Sequence, residues 1–185
     1  MSLMPKSKSA YSVAGKKGKL ETHIIVVWVD NEAGVLARVV GLFSGRGYNI
    51  ESLAVAEVDS KFNISRVTIV TTGTPEVIDQ IKLQLKKLVP VHKVASFKRD
   101  DEKVIFKEMA LFKFVTNSKK IKLIINACKR FNPVILDETN KSCVIQVTAL
   151  RREIDKMSKN FKKYGLVSIS RTGAVAMTRG SEVFK

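Results

Sequence analysis

The chain has 185 residues, enough for one ordinary domain or two small ones, and with 45% hydrophobic residues it can bury a core. No apolar run approaches the ~20 residues of a membrane helix, so the sequence reads as soluble. Its net charge of +16 is uneven: residues 1–20 carry five Lys and no acid, residues 21–97 eight basic and eight acidic side chains, and residues 98–185 twenty basic and nine acidic. Two segments of similar length with such different charge suit different partners.

The lead, MSLMPKSKSAYSVAGKKGKL (1–20), lacks the apolar stretch of a secretory signal and the arginines that transit peptides favour. It reads as a basic flexible lead, with a targeting remnant as the alternative. THIIVVWVD (22–30) is β-branched and aromatic, a buried strand. Leu36, Val39, Val40 and Phe43 then follow helical spacing, so a helix runs to about Ser44, capped by Asn31 or Asp30 and ended by Gly45 and Gly47. NIESLAVAEV (49–58) and ISRVTIVTT (64–72) are strands around a turn. Thr74 caps a second helix with Pro75 at its first position and a stripe of Ile78, Ile81, Leu85 and Leu88, stopped by Pro90. VHKVASF (91–97) is a last strand. The order βαββαβ is ferredoxin-like.

KRDDEK (98–103) is a charged linker, and the pattern repeats. The second set is a strand at 107–115, a helix at 118–131, strands at 133–138 and 142–150, a helix at 151–165 and a closing strand at 166–171. The tail from Thr172 is expected to lie over the sheet. The fold class is therefore α+β: two ferredoxin-like domains, 21–97 and 104–180, each an antiparallel sheet covered by helices on one face. Cys128 and Cys143 are too few and too isolated for a disulfide framework or a zinc site, and read as small core residues of a reducing compartment.

Catalytic signals are missing. Gly45-Arg46-Gly47 follows a helix, whereas a phosphate loop needs its glycines before one. Ser44 is misplaced for a nucleophile elbow, and His23 and His92 sit on strands without a motif. What remains is DNEAG at a helix start and YNI before the next strand. A helix N-terminus favours a carboxylate, and an Asn carboxamide both donates and accepts, a combination that suits a zwitterion as well as a plain cap. The last helix sets Arg151, Arg152, Lys156, Lys159, Lys162 and Lys163 opposite its Ile154, Met157, Phe161 stripe, either a solvated face or a contact for an acidic partner.

The run NEAGVLARVVGLFSGRGYNIESL resembles the opening of an ACT domain, the amino-acid-sensing ferredoxin-like module. More narrowly it is similar to the regulatory (small) subunit family of acetolactate synthase, whose hallmark is N-E-x-G-x-L-x-R-V-x-G-L-F-x-x-R-G-Y-N-I-x-S-L. The similarity continues through SRVTIVTTG, QIKLQLKKLVPVHKV and KEMALFKF to SRTGAVAMTRG, about residues 22–180. It implies a chain with no catalytic residues, no metal and no cofactor of its own. The catalytic (large) subunit would carry thiamine diphosphate, Mg and FAD. This chain would stimulate that partner and confer feedback inhibition by valine, or by leucine or isoleucine. It implies a homodimer through the ACT domains, with Asn31, Ala33, Gly34, Val35 and Leu36 of one chain facing Asn49 and Ile50 of the other across the effector. The expected compartment is a bacterial or archaeal cytoplasm, with a plastid or mitochondrion as the alternative. Two other functions compete. A free-standing ACT sensor would serve another enzyme. A basic ferredoxin-like nucleic-acid binder fits the charge but lacks the aromatic motif of an RNA-recognition sheet.

Overall fold

A computed structural model describes residues 19–181 and 183, so the lead at 1–18 lies outside the described residues. The chain divides into two compact units, Met1–Asp101 and Glu102–Lys185. In the first, β1 (Glu21–Asp30), α1 (Val35–Ser44), β2 (Ser52–Asp59), β3 (Ile64–Gly73), α2 (Pro75–Leu85) and β4 (Val91–Lys98) follow one another. The four strands form an antiparallel sheet in the order β2-β3-β1-β4. Strand alternation sends Ile25, Val27, Val29, Val67 and Ile69 to one face, where they pack with Val39 and Phe43 of α1 and Ile78, Ile81 and Leu85 of α2. Each such aliphatic side chain, once buried, contributes about 1.5–3 kcal/mol.

The second unit repeats the plan with β5 (Val104–Val115), α3 (Ser118–Cys128), β6 (Val134–Glu138), β7 (Ser142–Ala149), α4 (Arg151–Phe161) and β8 (Leu166–Thr178), the sheet running β6-β7-β5-β8. Its core is Phe112, Phe114, Ile145 and Cys143 of the sheet against Ile121, Ile124 and Cys128 of α3 and Ile154, Met157 and Phe161 of α4. The ring of Phe161 stands edge-on to Phe112 and Phe114 at 5.6 and 5.5 Å. Among the described residues no helix is long and apolar enough to cross a membrane.

Several boundaries differ from the sequence expectation. Neither Asn31 nor Asp30 caps α1; the N-cap is Gly34, left-handed at φ 86°, with no side-chain cap bond. Asp30 belongs to β1, where its carboxylate lies 2.6 Å from His92 Nε2. Thr74 does sit at the N-cap of α2, but its hydroxyl bonds the Glu76 carboxylate and no backbone N–H. Strand β5 starts three residues earlier than expected because Val104 and Phe106 are buried. The helices expected to end at 131 and 165 close as single 3-10 turns, Lys129–Phe131 and Lys162–Tyr164. As far as Thr178 the tail does not lie over the sheet: residues 172–178 continue β8, and 174–178 pair with β5.

Candidate functional site

The DNEAG loop is pinned by its backbone. The Asn31 N–H donates to the Asn63 carbonyl at 2.7 Å, and Asn63 Nδ2 donates back to the Asn31 carbonyl at 3.0 Å. Asn63 holds this position in a left-handed turn, φ 52°. With its backbone engaged, Asn31 leaves an exposed carboxamide without a partner among the described residues. Sequence reasoning missed Asn63; the signal was an Asn ending the DSKFN turn, a residue type that tolerates positive φ.

Helix α1 then begins without a cap. The Val35 N–H makes only a long 3.4 Å bond to the Glu32 carbonyl, and the next bond to the loop is Arg38 N–H to the Gly34 carbonyl at 3.0 Å. The N–H groups of Leu36 and Ala37 donate to no described residue. Other helices neutralise their starts: Asn117 accepts from the Lys120 N–H in α3, and α2 and α4 carry Glu76 and Glu153 in their first turns. Among the four α-helices only α1 has neither a side-chain cap nor an acid in its first turn. Its positive dipole end and free N–H groups therefore face solvent. A Cβ built on Gly34 meets nothing within 4 Å, so the backbone there is open to a ligand. Ala33 is exposed, and Leu36 is 41% exposed. Val35, by contrast, is buried in the core, so only its N–H is available.

The second group, Asn49 and Ile50, precedes β2. A left-handed Gly47 turns the chain back after α1, and Tyr48 N–H closes the turn on the Phe43 carbonyl at 2.9 Å. Thr71 Oγ1 donates to the Asn49 carbonyl at 2.7 Å, which again leaves an exposed carboxamide. Ile50 is half-buried against the core.

Within one chain the two groups are far apart. Asn31 is tied to residue 63 at one end of β3, and Asn49 to residue 71 at the other. About 8 strand residues at ~3.3 Å each separate them by roughly 26 Å. Both ends border β2, which is the edge of the sheet and exposes Val55 and Val58.

The basic face of α4 is present but not uniform. Arg152, Lys156, Lys159, Lys162 and Lys163 are exposed and Arg151 is half-buried. Lys156 lies 3.4 Å from Glu153, which is also bonded by Arg130 at 2.5 Å. Lys163 sits over the Tyr164 ring at 5.1 Å, beyond α4 in the 3-10 turn. Lys159 and Lys162 have no ion-pair partner among the described residues. A further ion cluster escaped the sequence reading: buried Glu108 takes both arms of Arg171 at 2.7 Å, and Arg171 also reaches Asp155 at 2.7 Å. These bonds hold the Arg171 guanidinium well above its ordinary range, despite partial burial. The cluster ties β5, β8 and α4 together, so it reads as structural.

Among the described residues no group of three or more His, Cys, Asp or Glu side chains could hold a metal ion. Cys128 and Cys143 are buried and unbridged; burial pushes the Cys128 thiol up to about 11.

Comparison with known proteins matches both units. Residues 25–93 fit the model of the AHAS small subunit-like ACT domain, and residues 107–180 the model of the small subunit of acetolactate synthase. The chain is 38% identical over 165 residues to the acetolactate synthase small subunit of Aquifex aeolicus, covering 89% of this chain and 84% of that protein. It is 35% identical over 160 residues to that of Mycobacterium bovis, covering 86% and 94%. The crystal structure of the acetolactate synthase small subunit from Thermotoga maritima superposes with a TM-score of 0.77 at 31% identity, over 87% of this chain and 99% of that one.

Proposed function

This chain belongs to the family of acetolactate synthase small, regulatory subunits, its first unit an ACT domain, and from that premise we propose that it is a valine sensor that stimulates the catalytic subunit and makes it subject to feedback inhibition. Two chains pair antiparallel along their β2 edges. The α1 start of one chain then meets the Asn49–Ile50 segment of the other, and each interface holds two effector sites. The carboxylate lies on the free N–H groups of α1, the ammonium between the carboxamide oxygens of Asn31 and Asn49, and the isopropyl group against Leu36 and Ile50. Chemistry, thiamine diphosphate, Mg and FAD belong to the catalytic subunit. The compartment this reading assigns is the cytoplasm of a bacterium or archaeon, the kinds of organism in which the relatives occur.

The observation that supports this reading most strongly is the separation of the half-sites. One chain alone cannot bring Asn31 and Asn49 to one amino acid, because they lie at opposite ends of the same sheet. A two-fold axis beside β2 exchanges those ends. Valine that bridges two chains favours the pairing geometry that fits it, and this differential affinity, typically worth about 1–3 kcal/mol, passes to the bound catalytic subunit.

The experiment is a valine titration by calorimetry on the full chain, with stimulation of acetolactate formation measured in parallel. Asn31→Ala and Asn49→Ala should each weaken valine at least tenfold while stimulation persists. Unchanged titrations in both variants would remove the site assignment. A wild-type chain that fails to stimulate the catalytic subunit would favour the free-standing sensor.

A further inference from the structure

Among the described residues, two that are not glycine adopt the left-handed conformation, Asn63 at φ 52° and Asn132 at φ 48°. Asn132 is the C-cap of the 3-10 turn Lys129–Phe131, where that conformation is ordinary. Asn63 ends the turn between β2 and β3. Glycine takes such a position without strain, whereas asparagine accepts a small cost and brings a side chain. That side chain donates from Nδ2 to the Asn31 carbonyl at 3.0 Å.

The bond prolongs a ladder. Strands β1 and β3 pair from Glu21–Gly73 to Asp30–Ile64, and Asn31 and Asn63 form the next pair, with the Asn31 N–H on the Asn63 carbonyl at 2.7 Å. A hydrogen-bonded antiparallel pair exchanges two backbone bonds; here the second comes from the Asn63 carboxamide. Both residues are exposed, so water competes for the bond and its contribution to stability is small. Its geometric effect is larger. With its N–H and C=O both held, the peptide planes on either side of Asn31 are fixed, and the carboxamide keeps only its own side-chain rotations.

The holder is itself held. Asp59 Oδ1 accepts from the Lys61 and Phe62 N–H groups at 3.0 and 3.1 Å, which ties the turn that leads to Asn63. From the other side, the Asp30 N–H donates to the Pro90 carbonyl at 2.9 Å. We propose that Asn63 is a positioning residue for the effector: by fixing the Asn31 backbone it orients the Asn31 carboxamide before valine binds. This rests on the assignment of Asn31 to the effector site. Asn63 acts through Asn31 rather than on the ligand, and it raises affinity by lowering the ordering cost of binding.

The test is valine calorimetry on the full chain, with urea unfolding followed by circular dichroism. Asn63→Gly keeps the left-handed turn and the bond from the Asn31 N–H and deletes only the Nδ2 donor. It should weaken valine about fivefold, the worth of one hydrogen bond. Asn63→Asp keeps the shape but sets a carboxylate oxygen against the Asn31 carbonyl, and should weaken valine about tenfold or more. In an Asn31→Ala chain, adding Asn63→Gly should change valine affinity less than about twofold, because its route to the ligand is gone. Ile81→Val removes a methylene from the core of the same unit and should bind valine as wild type does, whatever stability it loses. Wild-type affinity in Asn63→Gly, with Asn31→Ala weakened, overturns this inference and leaves the effector site standing. Equal weakening by Asn63→Gly with and without the Asn31 carboxamide overturns it as well, and so does equal weakening by Ile81→Val. If Asn31→Ala itself leaves valine binding unchanged, the site assignment falls and this inference falls with it.

Discussion

Gly34 concentrates the demands on the proposed effector site. Its φ of 86° lies where side chains are disfavoured, while the space around its missing Cβ is empty. Gly34→Ala should therefore cost only backbone strain, about 1–2 kcal/mol, and leave a folded chain, as urea unfolding would report. Gly34→Asp adds a carboxylate at a helix start that has room for one anion. The variant should stimulate the catalytic subunit yet resist valine; retained inhibition at wild-type valine concentrations would show that the α1 start does not hold the ligand's carboxylate. Cys128 supplies a prediction of the opposite kind, stability without function. Burial favours its neutral thiol and raises it from about 9 to about 11. Its contribution is complete below pH 9 and is lost as pH climbs from there through about 11. The stability difference between wild type and Cys128→Ala should shrink over that window in urea unfolding; a constant difference would mean that burial leaves the thiol's pKa where it is in the unfolded chain.

At the scale of elements, α4 joins packing to recognition. Its Ile154, Met157 and Phe161 are buried as the spacing in the sequence indicates. Lys159, Lys162 and Lys163 remain on the outside, at the end of the helix and in the 3-10 turn beyond it. If that face attracts an acidic partner, Lys159→Glu, Lys162→Glu and Lys163→Glu together should raise the concentration of this chain needed for half-maximal stimulation. The effect should fade as salt shortens the ~8 Å screening length of physiological solutions. Equal half-saturation at low and high salt would leave the face as solvated surface. The periodicity that exposed α4 also exposed most of the other strands and helices, because an element that buries one face writes its period into the sequence; β6, exposed along its whole length, has no such period. Features that failed to announce themselves depend on contacts distant in sequence. The closing strand was expected to end at Arg171, but Gly173, at φ 81°, marks a bulge where Thr172 and Gly173 face Met109 and β8 continues. Asn31 has the chemistry of a cap, but Asn63, 32 residues away, holds its backbone and shifts the helix start to Gly34. The candidate site residues were legible through family resemblance; their separation to opposite ends of the sheet was not, since spacing along the chain carries no register.

At the scale of the whole molecule, one chain supplies only half of each proposed effector site. In the proposed pairing, the two different half-sites of each chain, too far apart to meet, become two complete sites. The measurement that tests this most directly mixes two defective chains. Asn31→Ala and Asn49→Ala chains are each tagged differently, unfolded and refolded together, and the mixed dimers are isolated through both tags. In such a dimer one site lacks both carboxamides and the other has its full pair, Asn31 from one chain and Asn49 from its partner. Calorimetry should then recover wild-type valine affinity at half the wild-type number of sites, although neither parent homodimer binds with that affinity. Mixed dimers that bind valine no better than their parents would contradict a site shared between chains.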